Sequence, residues 1–139
     1  MRVLVDTCIW SLALRRRRRT EREKRIVDAL EELIRELRVV MICPVRQEIL
    51  SGIRVEEDFV RVRDRLRAFP DLALEPFDFE LAAEYYNRCR AIGIQGSNTD
   101  LLLCALAVRR HLAVFTVDRD FERFHARLGV ALFVPAPSA

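Results

Sequence analysis

The chain has 139 residues, 51% of them hydrophobic and 32% charged, with a formal net charge of +3. That balance belongs to one globular domain with a real core and excludes a disordered chain. No apolar run approaches the ~18 residues of a membrane span, and the four cysteines show no paired spacing, so neither a membrane protein nor a zinc module is expected.

In chain order, Val3 to Val5 is a β-branched run with the character of a buried strand, and Ile9 to Leu14 reads as a helical turn or two. Five arginines follow, Arg15 to Arg19. Thr20 with Glu23 forms a capping box opening a helix whose apolar stripe is Ile26, Val27, Leu30, Leu33, Ile34 and Leu37. Val39 to Cys43 is a second buried strand, Pro44 suits the first position of the next helix, and Gly52 ends it. Val55, Phe59, Val62, Leu66 and Phe69 repeat at helical spacing. Leu72 to Phe77 reads as a third, weaker strand, and Leu81, Tyr85, Cys89 and Ile92 as another helix closed near Gly93. Ser97 caps the apolar helix "DLLLCALAV", where Leu and Ala favour helix over strand. Ala113 to Val117 is a fourth strand, Arg119 to Leu128 a short helix and Val130 to Val134 a last strand.

Strands alternating with helices at these spacings predict an α/β fold in three layers, a mostly parallel central sheet of four to five strands with helices on both faces. A single domain over residues 1–134 and a C-terminal tail over 135–139 are expected. The start "MRVLVDT" lacks a signal-peptide layout, and a cytoplasmic protein with reduced thiols is expected; each cysteine, Cys8, Cys43, Cys89 and Cys104, lies in or beside an apolar stretch, as a small buried hydrophobe does.

Four acids stand out. Asp6 and Asp118 close strand-like runs, while Glu48 and Asp100 sit near the starts of helices, so all four fall at one end of the predicted sheet. In an open parallel sheet the reactive crevice lies outside the strands' carboxyl ends. Each acid has an ordinary role as well: Asp6 and Asp118 suit helix N-caps, Asp100 pairs with Ser97 as a capping box, and Glu48 suits a solvated helix face. Four carboxylates gathered at one place repel one another, and a Mg²⁺ or Mn²⁺ ion is the economical compensation. Thr7, Asn98 and Thr116 flank the acids and are candidates to hold them by hydrogen bonds; Asp120 is a further acid beside Asp118.

The stretches "VLVDTCIW", a Glu after the second strand, "NTDLLLCALA" and "FTVDRDF" together resemble a PIN domain, most nearly the VapC-like toxins of bacterial toxin–antitoxin pairs. The resemblance runs over essentially the whole chain, departing at Cys8, where Ser is the common choice. It implies a Mg²⁺- or Mn²⁺-dependent endoribonuclease with Asp6, Glu48, Asp100 and Asp118 as the catalytic and metal-holding acids, Asp118 being chosen over Asp120 by its place two positions after Thr116. It also implies hydrolysis by a metal-activated water, and a homodimer neutralised by a small antitoxin in a heterotetramer or larger assembly. A housekeeping RNA-processing PIN nuclease and a catalytically silent PIN-domain binding module are the alternatives. Receiver-type and haloacid-dehalogenase-like domains fail on inspection: the first needs two adjacent acids after the first strand, and the second needs an Asp where Cys8 stands.

Arg15, Arg16, Arg17, Arg18 and Arg19 are candidates for RNA contact, alongside readings as a solvated loop or a contact with an acidic partner. Trp10 is expected in the core or a dimer interface. Apolar positions of Trp10 to Leu14 and Ile26 to Leu37 are expected to supply a groove for an antitoxin peptide, whose Arg would enter the acid cluster.

Overall fold

The structure, a computed structural model, describes residues 1–15 and 17–137. Four short strands, β1 (Val3–Val5), β2 (Val39–Val40), β3 (Ala113–Phe115) and β4 (Ala131–Leu132), pair in parallel in the order β2-β1-β3-β4. Around them lie α1 (Thr7–Leu14), α2 (Glu21–Arg35), α3 (Cys43–Ser51), α4 (Glu56–Leu66), α5 (Pro76–Ala91), α6 (Asn98–Arg109) and α7 (Asp120–Leu128). Val3, Leu4 and Val5 are all buried although successive side chains of a strand point to opposite faces, so both faces of the sheet are covered. The predicted α/β architecture therefore holds, with four parallel strands. Among the described residues no helix is long and apolar enough to cross a membrane.

The central pair fixes the site. β1 and β3 run side by side with Val5 opposite Phe115, and the backbone N–H of Asp6 donates to the Phe115 carbonyl at 2.9 Å. From β1 the chain crosses to β2 on one side and from β3 to β4 on the other. The seam between β1 and β3 is thus the switch point, where neighbouring loops diverge and leave a crevice.

α6 is the central helix: every residue from Leu101 to Ala107 is buried, as its all-round apolarity requires. It packs along α5, and its C-terminal end is clamped there by a charged network. Asp78 in the first turn of α5 is fully buried and accepts from Arg109 at 2.6 Å, from Arg110 at 2.7 Å and from the Glu75 backbone N–H at 2.8 Å. Burial pushes the Asp78 carboxyl up, but the two guanidinium groups and the backbone donor outweigh it and hold the pKa at about 2. This clamp holds the far end of the helix that carries Asp100.

Three elements depart from expectation. Leu72 to Phe77 is not a strand; one parallel bridge, Met41 with Asp71, and one hydrogen bond from Leu72 N–H to the Met41 carbonyl are all that pair there. Pro76 opens α5 and Glu75 with Asp78 caps it, so the helix starts five residues before Leu81 and takes the end of the supposed strand. The second strand stops early because Pro44 draws Cys43 into α3. Cys43 is consequently exposed rather than buried, its thiol donating to Asp71 at 3.2 Å; Cys89 and Cys104 are buried as expected. Trp10 is a core residue, edge-on to Phe69 with ring centres 5.0 Å apart.

Candidate active site

Asp6 is the anchor. As N-cap of α1 it accepts the Thr7 backbone N–H on Oδ1 at 2.8 Å, the cap role its position predicted. Its other oxygen, Oδ2, accepts the Thr116 hydroxyl at 2.8 Å, across the β1–β3 seam. That hydroxyl in turn accepts the Asp118 backbone N–H at 3.0 Å. Asp118 curls back to accept the Asp120 N–H on Oδ1 at 2.9 Å, which caps the start of α7. Asp100 completes its capping box with Ser97, its Oδ2 accepting the Ser97 N–H at 3.0 Å while its own N–H donates to the Ser97 hydroxyl. Glu48 lies on α3, exposed, with its Oε1 accepting the Thr7 hydroxyl at 3.1 Å.

The ordinary roles and the shared location therefore coexist. Asp6 is the N-cap of α1, Asp100 the acid of the α6 capping box, and Asp118 accepts the first N–H of α7, and those tasks set them at the carboxyl edge of the sheet. Their charges are coupled. Burial raises the pKa of Glu48, and the charges of Asp6 and Asp100 raise it further, against hydrogen bonds from Thr7 and Thr99 that lower it. Burial likewise raises Asp100; the Ser97 N–H works against this, and Asp6 and Asp118 add to it. Asp6 and Asp100 thus bear on Glu48, and Asp6 and Asp118 on Asp100.

Of the flanking residues, Thr7 and Thr116 bond to the acids, whereas Asn98 is exposed at the start of α6. Asp120 meets the site through its backbone N–H. Cys8 sits inside it, Sγ 3.6 Å from Asp6 Oδ2 and 3.5 Å from the Thr116 hydroxyl, and burial together with the Asp6 charge pushes its thiol pKa up. It is a neutral donor to the anchor carboxylate, not a nucleophile.

The arginine run divides. Arg19 donates to the carbonyls of Leu12 and Ala13 at the end of α1, and Arg17 pairs with Glu23 at 3.3 Å, so both serve the local fold. Arg15 and Arg18 are exposed, and Arg16 lies outside the described residues. The expected apolar groove between Trp10–Leu14 and Ile26–Leu37 does not form from those side chains as a set, because Trp10, Leu30 and Leu33 are consumed by the core; Leu12, Leu14 and Ile26 reach the surface cavities.

The donor set suits a hard divalent cation: carboxylate oxygens with hydroxyl neighbours, mutually repelling and free of paired thiolate or imidazole. Among the described residues no three such groups stand close enough to hold an ion as they are. Glu48 is drawn to Thr7, Asp100 to Ser97 and Asp118 to the start of α7, so coordination requires rotations of side chains already at the rim.

The PIN domain family model matches residues 3–126. FitAcB from Neisseria gonorrhoeae is similar in structure, with a TM-score of 0.74 at 22% identity over 96% of this chain and 97% of that one. VapBC2 from Rickettsia felis, solved bound to a DNA fragment from their promoter, gives 0.75 at 17% identity over 96% and 98%. No curated protein matches by sequence. The acids at the β1–β3 seam, the parallel sheet and the family match converge: the chain belongs to the PIN domain family, whose members are generally nucleases.

Proposed function

We propose that the protein is a Mg²⁺- or Mn²⁺-dependent endoribonuclease and the toxin of a toxin–antitoxin pair. The reading is supported by the PIN domain match together with Asp6 at the β1–β3 switch point, whose charge raises Glu48 and Asp100, and Asp118, whose charge also raises Asp100. Asp6, Asp100 and Asp118 would hold the ion, with Glu48 closing the site. When bound, a divalent ion supplies an activated water and neutralises charge on the scissile phosphate.

The chain's own groups do the positioning. The Thr7 N–H holds Asp6 Oδ1, and the Thr116 hydroxyl with the Cys8 thiol holds Oδ2, fixing the carboxylate's orientation. Thr7 steadies Glu48 through its hydroxyl. The Ser97 box and the Asp78 clamp hold the two ends of α6, so Asp100 is presented from a rigid rod. Hydrolysis by an attacking water leaves a 5′-phosphate and makes no use of the ribose 2′-hydroxyl, so preference for RNA rests on the groove around the acids.

The toxin reading is supported by the fold shared with FitAcB and VapBC2 along nearly the full length of each chain. An antitoxin would present an Arg to the same acids, replacing the ion's charge with a guanidinium, and the toxin would form a homodimer, with antitoxin a heterotetramer or larger. Purified protein should cut RNA with Mg²⁺ or Mn²⁺, not with EDTA, and Asp6→Ala and Asp118→Ala should be nearly inactive. Expression alone should arrest growth, and co-expression with the small protein encoded beside it should relieve the arrest. Cleavage without growth arrest would favour a housekeeping nuclease; metal binding without cleavage would favour a silent binding module.

A further inference from the structure

A groove of about 720 Å³ opens on the β3–β4 side of the acids and reaches Thr116 and Asp118. A second of about 440 Å³ continues it past Cys8, sharing Arg22, Ile26, Val117 and Arg119 with the first. A third of about 360 Å³ shares Arg15 with the second and contains Glu48. The three run as one path around α1 and the N-terminal half of α2, with Asp118 and Glu48 lining it.

Four arginines wall this path. Arg22 and Arg25 lie three residues apart on α2 and so share a face, Arg119 projects from the turn after β3, and Arg15 ends α1. All four are exposed, and among the described residues none of them has an acidic partner within ion-pair distance. Arg46, Arg109 and Arg110, away from the path, are each tied to a carboxylate; what sets the four apart is that they gather around one groove. Of the acids facing the path, Glu23 is already occupied by Thr20 and Arg17, Asp58 lies 3.8 Å from Arg61, and Glu48 and Asp118 belong to the site, which leaves Glu122. Guanidinium groups gathered without counter-charge around a groove favour a polyanion, and their spread along a path, rather than around one point, favours an extended one. The floor between them, Ile26, Val117 and Phe133, is apolar and gives bases a surface to lie on.

We infer that Arg22, Arg25 and Arg119, with Arg15 beyond them, contact successive phosphates of a single RNA strand and so position it across Asp6 and Asp118. This rests on the ribonuclease reading and adds to it the strand's path. It moves the principal RNA contacts from the arginine run to α2 and the turn after β3.

The test is binding of a labelled single-stranded RNA, followed by fluorescence anisotropy over a range of salt, with EDTA present to hold back cleavage. The variant carries Arg22→Gln, Arg25→Gln and Arg119→Gln; a control carries Arg63→Gln, Arg65→Gln and Arg67→Gln on α4, the same change in charge. The groove variant should bind at least about tenfold more weakly, and its slope of log affinity against log salt should shrink by about 2, the loss of roughly three phosphate contacts on a single strand. The control should keep the wild-type slope, and lysine at the three groove positions should restore most of it. In steady-state cleavage with Mn²⁺ the groove variant should raise KM while kcat stays within about twofold. Wild-type affinity and slope in the groove variant would overturn the assignment and leave the path as protein-facing surface, with the nuclease reading intact. RNA neither bound nor cut by the wild-type protein would overturn both.

Discussion

The Thr116 hydroxyl donates to Asp6 Oδ2 at 2.8 Å while accepting the Asp118 N–H at 3.0 Å, so one oxygen joins the acids that end the two central strands. A side chain that is both donor and acceptor sets the separation of two like charges without itself carrying charge. Thr116→Val keeps the shape and removes both bonds. It should lower cleavage about ten- to a hundredfold, the usual cost of losing a group that orients a ligand, and stability by only about 1 kcal/mol. Parallel cleavage and thermal-melting assays separate these effects.

The acid site should leave a mark on stability in the absence of metal. Glu48 and Asp100 have folded-state pKa values raised above their ordinary values, so their ionisation opposes folding, and protonation relieves this. Metal-free protein should therefore gain stability as pH falls through those raised values towards the ordinary 4.5 and 3.8. A millimolar divalent ion should flatten the trend and raise Tm. Asp100→Asn keeps a residue suited to the first helical turn; it should raise the metal-free Tm and lose most of the metal-dependent gain. Thermal melts across pH, with and without Mg²⁺, provide the check.

Asp78 behaves in the opposite sense. Its folded-state pKa of about 2 lies below the ordinary 3.8, so it contributes stability that is present above pH 3.8 and lost as pH falls towards 2. A shift of that size corresponds to roughly 2 kcal/mol. Asp78→Asn should destabilise the protein by about that amount at neutral pH and remove this part of the acid-unfolding transition. Because the clamp lies at the other end of α6 from Asp100, the variant should still bind divalent ions below its own Tm.

Gly96 leads into the cap of α6, and a Cβ there would come within 2.7 Å of Phe124 Cζ and 2.8 Å of Leu101 Cδ2. Phe124 and Leu101 are buried and have little room to retreat. Gly96→Ala should cost about 1–3 kcal/mol, the range for overpacking a filled core, and should weaken divalent binding by displacing the turn that presents Asp100. Calorimetry of Mn²⁺ binding alongside denaturant unfolding checks both effects.

Much of this was legible in the chain because local signals and tertiary demands agree. Ser97 with Asp100 and Thr20 with Glu23 announce capping boxes, and both are made. Val3–Val5 and Ala113–Phe115 are apolar throughout, rich in valine, and buried on both faces. What stayed hidden depends on partners distant in sequence. Nothing near Asp78 foretells that Arg109 and Arg110, more than thirty residues on, will hold it buried and ionised. Leu72–Phe77 has strand composition, yet Pro76 and the Glu75 cap claim its end for a helix. The arginine run drew the eye by its length, but Arg19 closes α1, whereas Arg22 and Arg119, separated by most of the chain, meet at one groove. Such meetings are set by topology, which periodicity alone does not specify.

The chemistry of the cut ends tests the central claim most directly. RNA incubated with the purified protein and Mg²⁺ or Mn²⁺ should yield fragments with 5′-phosphate and 3′-hydroxyl ends, in amounts abolished by EDTA and nearly abolished in Asp118→Ala. Fragments ending in a 2′,3′-cyclic phosphate, or cleavage undiminished by EDTA, would contradict a metal-dependent hydrolysis at Asp6, Glu48, Asp100 and Asp118.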